Sequence, residues 1–200
     1  MRKLVFVVLC SFALFASGCA GLKVSDPLEE SHSLVYGFVD VYEINSTVAS
    51  FPKPVFKSAD TGESYTGSVE KNSGLIWHDS LPPSTYRLES FYTWKVKQGG
   101  MGFSKSLRQV RPNEYGDDPI KFAVKKGGLY YFGSFSAEEE DMSFLEEAGK
   151  AITGGQTFKM VREKKDHEAT ALDMLLDMSD GSYWAPIIEG RIDKVNKKKK

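Results

Sequence analysis

Few residues in this chain of 200 stand out for their chemistry: two cysteines, three histidines and one Asp-Thr-Gly tripeptide. Cys19 follows Ala16-Ser17-Gly18, and small residues before a cysteine let a processing peptidase close on the chain. Cys10 sits inside an apolar run and reads as a passenger. His32, His78 and His167 lie far apart, and none has a second histidine or cysteine at ligand spacing. A zinc site needs three or four convergent ligands, so no metal and no cofactor is expected. Asp60-Thr61-Gly62 offers one carboxylate, whereas proton-sharing catalysis needs two, and the tripeptide is itself a good turn. No G-x-S-x-G, H-E-x-x-H or P-loop pattern occurs. The sequence therefore reads as a protein that is not an enzyme, with an unrecognised hydrolase ranked last among three readings.

Aromatic side chains are the remaining chemical resource. Tyr86, Phe91, Tyr92 and Trp94 fall on one stretch, and Tyr130, Tyr131, Phe132 and Phe135 on another. Aromatics of both parities are present, so one face is expected in a core and the other against a second layer or a ligand. Trp77, Tyr92, Trp94 and Trp184 are the candidate binding surface, because aromatic rings stack on sugars and anchor protein interfaces.

The N-terminus positions Cys19. Met1-Arg2-Lys3 precedes an apolar run over residues 4–15, too short for the roughly 20 apolar residues of a bilayer span. Ala16-Ser17-Gly18-Cys19 resembles the lipobox of bacterial lipoproteins, with alanine where leucine is commonest. The resemblance implies a cysteine that takes diacylglycerol, cleavage before it, and acylation of the new amine. Ala20, rather than aspartate, then implies the outer membrane, on its periplasmic side or at the cell surface. Removal of residues 1–18 takes Arg2 and Lys3 and leaves 24 basic against 27 acidic side chains. That near-balance carries no nucleic-acid signature.

The rest of the chain supplies elements. Residues 34–44 are apolar at both parities, which predicts a strand covered on both sides. Short apolar runs then alternate with turn signals at 60–62, 72–74, 81–85, 99–100 and 125–128, as in a sandwich or barrel. Residues 111–119 read as a polar loop. Residues 138–152 have a weak helical spacing. Asp166 is placed to cap a helix carrying Ala169, Leu172, Leu175 and Leu176. Trp184, Ile187, Ile188, Ile192 and Val195 form a second stripe, with Pro186 in its first turn.

The stretches LPPSTYRL (81–88) and KKGGLYYFGSF (125–135) resemble motifs of bacterial transthyretin-like and carboxypeptidase-regulatory-like β-sandwiches, with Ser84 in place of a usual glycine. The resemblance covers about 50 residues and implies packing rather than catalysis. Independently, the paired prolines stiffen the loop and set Tyr86 and Leu88 on one face of the following strand.

The expected organisation is a signal peptide (1–18), a lipidated tether (19–31), an antiparallel β-sandwich of seven or so strands (32–163), a helical pair (164–196) and a basic tail (197–200). The expected function is a membrane-anchored module that binds a protein or envelope component; the alternative is carbohydrate binding through exposed aromatics.

Overall fold

The computed structural model describes residues 22–40, 53–70, 72–96, 103–110, 120–139 and 157–198. Cys19 and residues 1–18, expected as a signal peptide, lie outside them, as do residues 111–119, expected as a polar loop, and residues 140–156. Among the described residues, runs rich in β-branched and aromatic residues form ten strands: β1 (Ser33–Asp40), β2 (Lys53–Ser58), β3 (Ser64–Thr66), β4 (Ser68–Glu70), β5 (Leu75–Leu81), β6 (Ser84–Val96), β7 (Phe103–Val110), β8 (Lys121–Val124), β9 (Gly128–Glu139) and β10 (Thr157–Arg162). Two helices follow, α1 (Glu168–Met178) and α2 (Ala185–Lys198). Among the described residues no helix is long and apolar enough to cross a membrane.

The fold is mainly β and sandwich-like. One hydrogen-bonded path runs β3-β2-β6-β7-β10-β9-β1-β5-β4, with β8 on the first part of β6. The path doubles back because residues 64–70 join its two ends: β3 pairs with β2, and β4 pairs with β5. Gly67 is the corner between them. Its N–H donates to the Pro54 carbonyl at 2.8 Å, and a Cβ there would stand 2.6 Å from the Trp77 carbonyl oxygen. Only a residue without a side chain lets the two backbones come so close. Most pairings are antiparallel, as expected, but β1–β9 and β7–β10 are parallel.

Three irregularities decide which residues face inward. In β6, Val55 lies opposite Ser90 but Phe56 opposite Leu88, so β6 carries one extra residue. Tyr86, Leu88 and Phe91 therefore reach the same core despite mixed parity. The same happens in β5 between Leu81 and His78, and in β9 between Tyr131 and Ser134. The β9 bulge holds Gly133 at φ 116°, and Phe132 and Phe135 both turn inward. Phe132 lies over Gly37, where a Cβ would meet its ring at 2.3 Å.

Two cores result. Between the layers, Val35, Val39, Phe56, Ile76, Leu88 and Phe91 pack with the inward residues of β9 and β10. On the outer face of β1 and β5, Leu34, Tyr36, Leu75 and Trp77 meet Leu172, Leu175, Trp184 and Ile188 of the helical segment. The strand expected at 34–44 is thus covered on both sides from Leu34 to Val39. Helices this short gain most of their stability from such docking.

Several expectations are corrected. The tether is not free: Val24 is buried among the helices, and its N–H donates to the Met178 carbonyl at 3.0 Å. Residues 138 and 139 continue β9, with Glu138 opposite Lys159, because pairing with β10 outweighs the weak helical spacing. Lys197 and Lys198 belong to the last turn of α2 rather than to a loose tail, where cations meet the negative helix end. Asp166 caps α1 from one position further out: its Oδ1 accepts the Glu168 N–H at 2.9 Å.

Candidate functional site

The helix-covered layer holds a largely buried polar cross-link. Glu168 opens α1 on the face of Ala171, Leu172 and Leu175, so its carboxylate enters the cluster with them. It is 9 % exposed. Its Oε1 accepts the Tyr36 hydroxyl at 3.1 Å and the Arg191 Nε–H at 2.8 Å, and lies 2.7 Å from Arg191 Nη2. β1, α1 and α2 are thereby joined at one carboxylate oxygen. Burial, reinforced by that carboxylate, pushes the Tyr36 phenol far above its ordinary range.

Beside this cross-link, α2 and β9 border an open groove of about 360 Å³ lined by Leu129, Pro186, Ile187, Gly190, Arg191 and Lys194. Nothing lies within 4 Å of where a Gly190 Cβ would stand, so the groove is open there. It joins apolar walls to two cations. A second cleft of about 300 Å³ lies at the β9 bulge, around Gly133 and Arg162. There Arg162 Nη2 donates to the Phe132 carbonyl at 3.4 Å and its guanidinium covers the Phe135 ring at 5.4 Å. Tyr131 bonds Ser134 at 2.7 Å; burial first, with Asp166 adding, pushes its phenol up to about 12.

The proline loop is held by its own side chains. The Tyr86 hydroxyl donates to the Pro82 carbonyl at 2.8 Å, four residues back, a bond of the tyrosine-corner kind found in β-sandwiches. Ser84 donates to Asp60 Oδ2 at 2.6 Å, and the Thr85 N–H donates to the same oxygen at 3.0 Å. These bonds, the Ser84 bond first, hold the Asp60 carboxyl below its ordinary range. Asp60-Thr61-Gly62 is a turn, as expected, with Gly62 at φ 75°. Its carboxylate ties that turn to the start of β6, and Ser84 is the residue it holds.

The histidines also serve the fold. His78 lies on β5, not in the loop after it; its ring meets Phe56 and Tyr65 edge-on at 6.5 and 6.0 Å. Its Nδ1 accepts the Ser80 N–H, and burial holds the ring below its ordinary pKa. His32 bonds Ser80 Oγ at 2.8 Å. His167 Nε2 lies 3.3 Å from Glu163 in a half-buried position, not free in solvent. Among the described residues no group of three or more His, Cys, Asp or Glu could hold a metal ion.

The candidate binding aromatics divide. Trp77 is 1 % exposed and Trp184 is fully buried, both in the helix-covered cluster. Neither offers a ring to a ligand from solvent, because the outer face of β5 is closed by the helices. Tyr92 and Trp94 are placed by backbone on β6, opposite Leu107 and Lys105 of β7. Glu168 and Arg191 were not singled out from sequence. The signal was present: Glu168 precedes Ala171, Leu172 and Leu175 at +3, +4 and +7, and Arg191 follows Trp184 and Ile188 at +7 and +3. Comparison with family models, curated proteins and solved structures finds no match to the chain.

Proposed function

We propose that the protein is an envelope lipoprotein, acylated on Cys19 and held at the outer membrane, whose β domain and helical pair form a non-enzymatic module that binds an envelope protein. The observation that carries this is how the described ionisable groups are engaged. Glu168 joins three elements, Asp60 clips two turns, and His32 and His78 bond Ser80. Each of these four groups is engaged in holding the fold. What is presented outward is the groove beside α2, whose Leu129 and Ile187 walls and Lys194 cation, next to the Glu168-paired Arg191, suit an acidic segment with apolar anchors. The likeness of residues 81–88 to transthyretin-like sandwiches belongs to the same reading, supported by the Tyr86 bond to Pro82. Carbohydrate binding would have to rest on Tyr92 and Trp94, since Trp77 and Trp184 are buried.

Two changes test the proposal in cells. Cys19→Ser should move the protein from the salt-washed membrane fraction to the soluble fraction; retention in the membrane would show that lipid on Cys19 is not the anchor. Gly190→Gln with Lys194→Glu should abolish co-purification of an envelope protein while leaving the anchor intact. The same co-purifying proteins with and without these groove changes would remove the groove from the proposal.

A further inference from the structure

We infer that the docked leader and the α1–α2 turn form a membrane-contacting edge, in which Leu22, Leu28 and Tyr183 sit in the interfacial layer of the bilayer that holds the lipid. The inference rests on the acylation of Cys19 proposed above and adds to it an orientation and a second contact.

The leader's attachment sets the distance. Val24 is 4 % exposed, and its N–H donates to the Met178 carbonyl at the end of α1. The Ser25 N–H donates to Asp79 Oδ2 at 2.9 Å, and Asp26 Oδ1 accepts the Tyr183 N–H at 2.7 Å. The chain is fixed to the fold from Val24 onward. Only the steps from residue 19 to residue 24 separate the acylated cysteine from that point, about 17 Å if fully extended. A lipid on Cys19 therefore draws this corner to the bilayer, and the bond from Tyr183 to Asp26 brings the α1–α2 turn with it.

Exposure marks the same corner. Among the described residues the exposed large hydrophobics are Leu22 at 50 %, Leu28 at 83 % and Tyr183 at 50 %. Two lie on the leader and the third on the turn bonded to it. Among the described residues the other large apolar side chains are buried or partly buried, so exposed ones on the leader and on the turn bonded to it mark a surface that leaves water. Tyrosine suits this position, with an apolar ring and a hydroxyl at headgroup level.

Charge decides the kind of contact. Lys23 is exposed beside Leu22, but Glu29, Glu30 and Asp180 are exposed on the same leader and turn. The named charges sum to −2, so the edge is not drawn to anionic lipid by charge; the contact is apolar, and added salt, which screens the repulsion, does not weaken it. α2 leads away from Tyr183 for 14 residues, about 20 Å along the helix. Lys197 at its far end marks the side away from the bilayer.

The test uses the lipidated mature protein on phosphatidylethanolamine–phosphatidylglycerol vesicles. A single cysteine replaces Leu22, Tyr183 or Lys197, each carrying a bimane label, with lipid spin-labelled near the headgroup as quencher. Labels at 22 and 183 should be quenched strongly, and no less at molar salt than at low salt, while the label at 197 stays unquenched. If Tyr183→Cys loosens the turn, seen as a change in near-ultraviolet circular dichroism, Leu22→Cys still decides. Protein that does not float with vesicles refutes the anchor, and the edge falls with it. Protein that floats with unquenched labels at 22 and 183 keeps the anchor and overturns the edge. Quenching at 197 as well means that the helices lie flat and overturns the orientation. Labels shielded from aqueous iodide in vesicle-free Cys19→Ser protein would show a second copy covering the corner, and would overturn it too.

Discussion

Trp184→Ala tests whether the helical pair belongs to the domain or serves a partner. Trp184 is fully buried and meets Tyr183 edge-on at 5.2 Å, within the cluster that includes Leu172, Leu175, Ile188 and Trp77. A buried tryptophan removes on the order of 200 Å² from water, about 5 kcal/mol at 25 cal/mol per Å². Two corrections lower that figure. The unfolded chain already buries part of this area. The indole Nε1 also finds no acceptor among the described residues, and burying an unpaired donor costs about 1–3 kcal/mol, which the substitution relieves. About 3 kcal/mol of destabilisation remains, at the low end of measured tryptophan truncations. Trp184→Phe keeps most of the apolar surface and removes the unpaired N–H, so it should cost well under half as much. Urea unfolding of the mature Cys19→Ser protein gives the measurement. With a slope near 2 kcal/mol per molar, alanine should lower the midpoint by about 1.5 M. An unchanged midpoint, with a wild-type minus Trp184→Phe difference spectrum typical of water-exposed tryptophan, would refute the docking argument.

Alkaline unfolding should depend on Tyr36. Its folded pKa is raised, so the stability this group contributes is intact below the unfolded value near 10 and is lost as pH rises above it, by up to about 1.4 kcal/mol per pH unit. Tyr36→Phe should flatten that fall in urea melts between pH 9.5 and 11; an unaltered slope would mean the phenol is not held in its protonated form by the fold. At the corner, Gly67→Ala should cost about 1–3 kcal/mol in thermal or urea melts, because its methyl meets backbone that cannot turn aside. Gly190→Ala, in an open helical position, should instead stabilise by up to about 1 kcal/mol, and loss of stability there would show the groove is narrower than described.

The two-sided strand was legible at β1 because apolar residues of both parities stand in an unbroken run. The same rule applies at Leu75-Ile76-Trp77, and there it places Trp77 inside: Ile76 faces the other layer while Leu75 and Trp77 face the helices. Counting an isolated tryptophan as a binding platform overlooked its neighbours. The mixed parity on β6 and β9 was harder to read. A strict two-residue alternation sends Phe91 to the opposite face from Tyr86, and only the extra residue near Ser90 returns it. No local signal in Arg87-Leu88-Glu89-Ser90 announces that extra residue. On β9 the signal exists, since Gly133 between Phe132 and Phe135 is the type of residue a bulge with positive φ uses. The parallel pairing of β1 with β9 joins stretches nearly a hundred residues apart, and turn signals define only neighbours in sequence.

The triad at Glu168 brings these threads together. Tyr36 projects from a central strand, Glu168 from the start of α1 and Arg191 from the middle of α2, so the bond set closes only when the sheet and both helices are in place. Breaking it would leave a carboxylate in apolar surroundings, which is far more costly than losing an exposed ion pair. The helical pair is therefore bound into the fold by apolar area and by a polar bond set of defined direction. The leader enters the same layer from the other end, with Val24 against the close of α1. The segment that leads to the proposed anchor and the segment that borders the groove thus share one core. Through Arg191 and Glu168, α2 is tied to Tyr36 of β1, and through the shared apolar cluster to Trp184 and Val24, so the helix-covered layer is where the proposed anchoring and the proposed binding would meet.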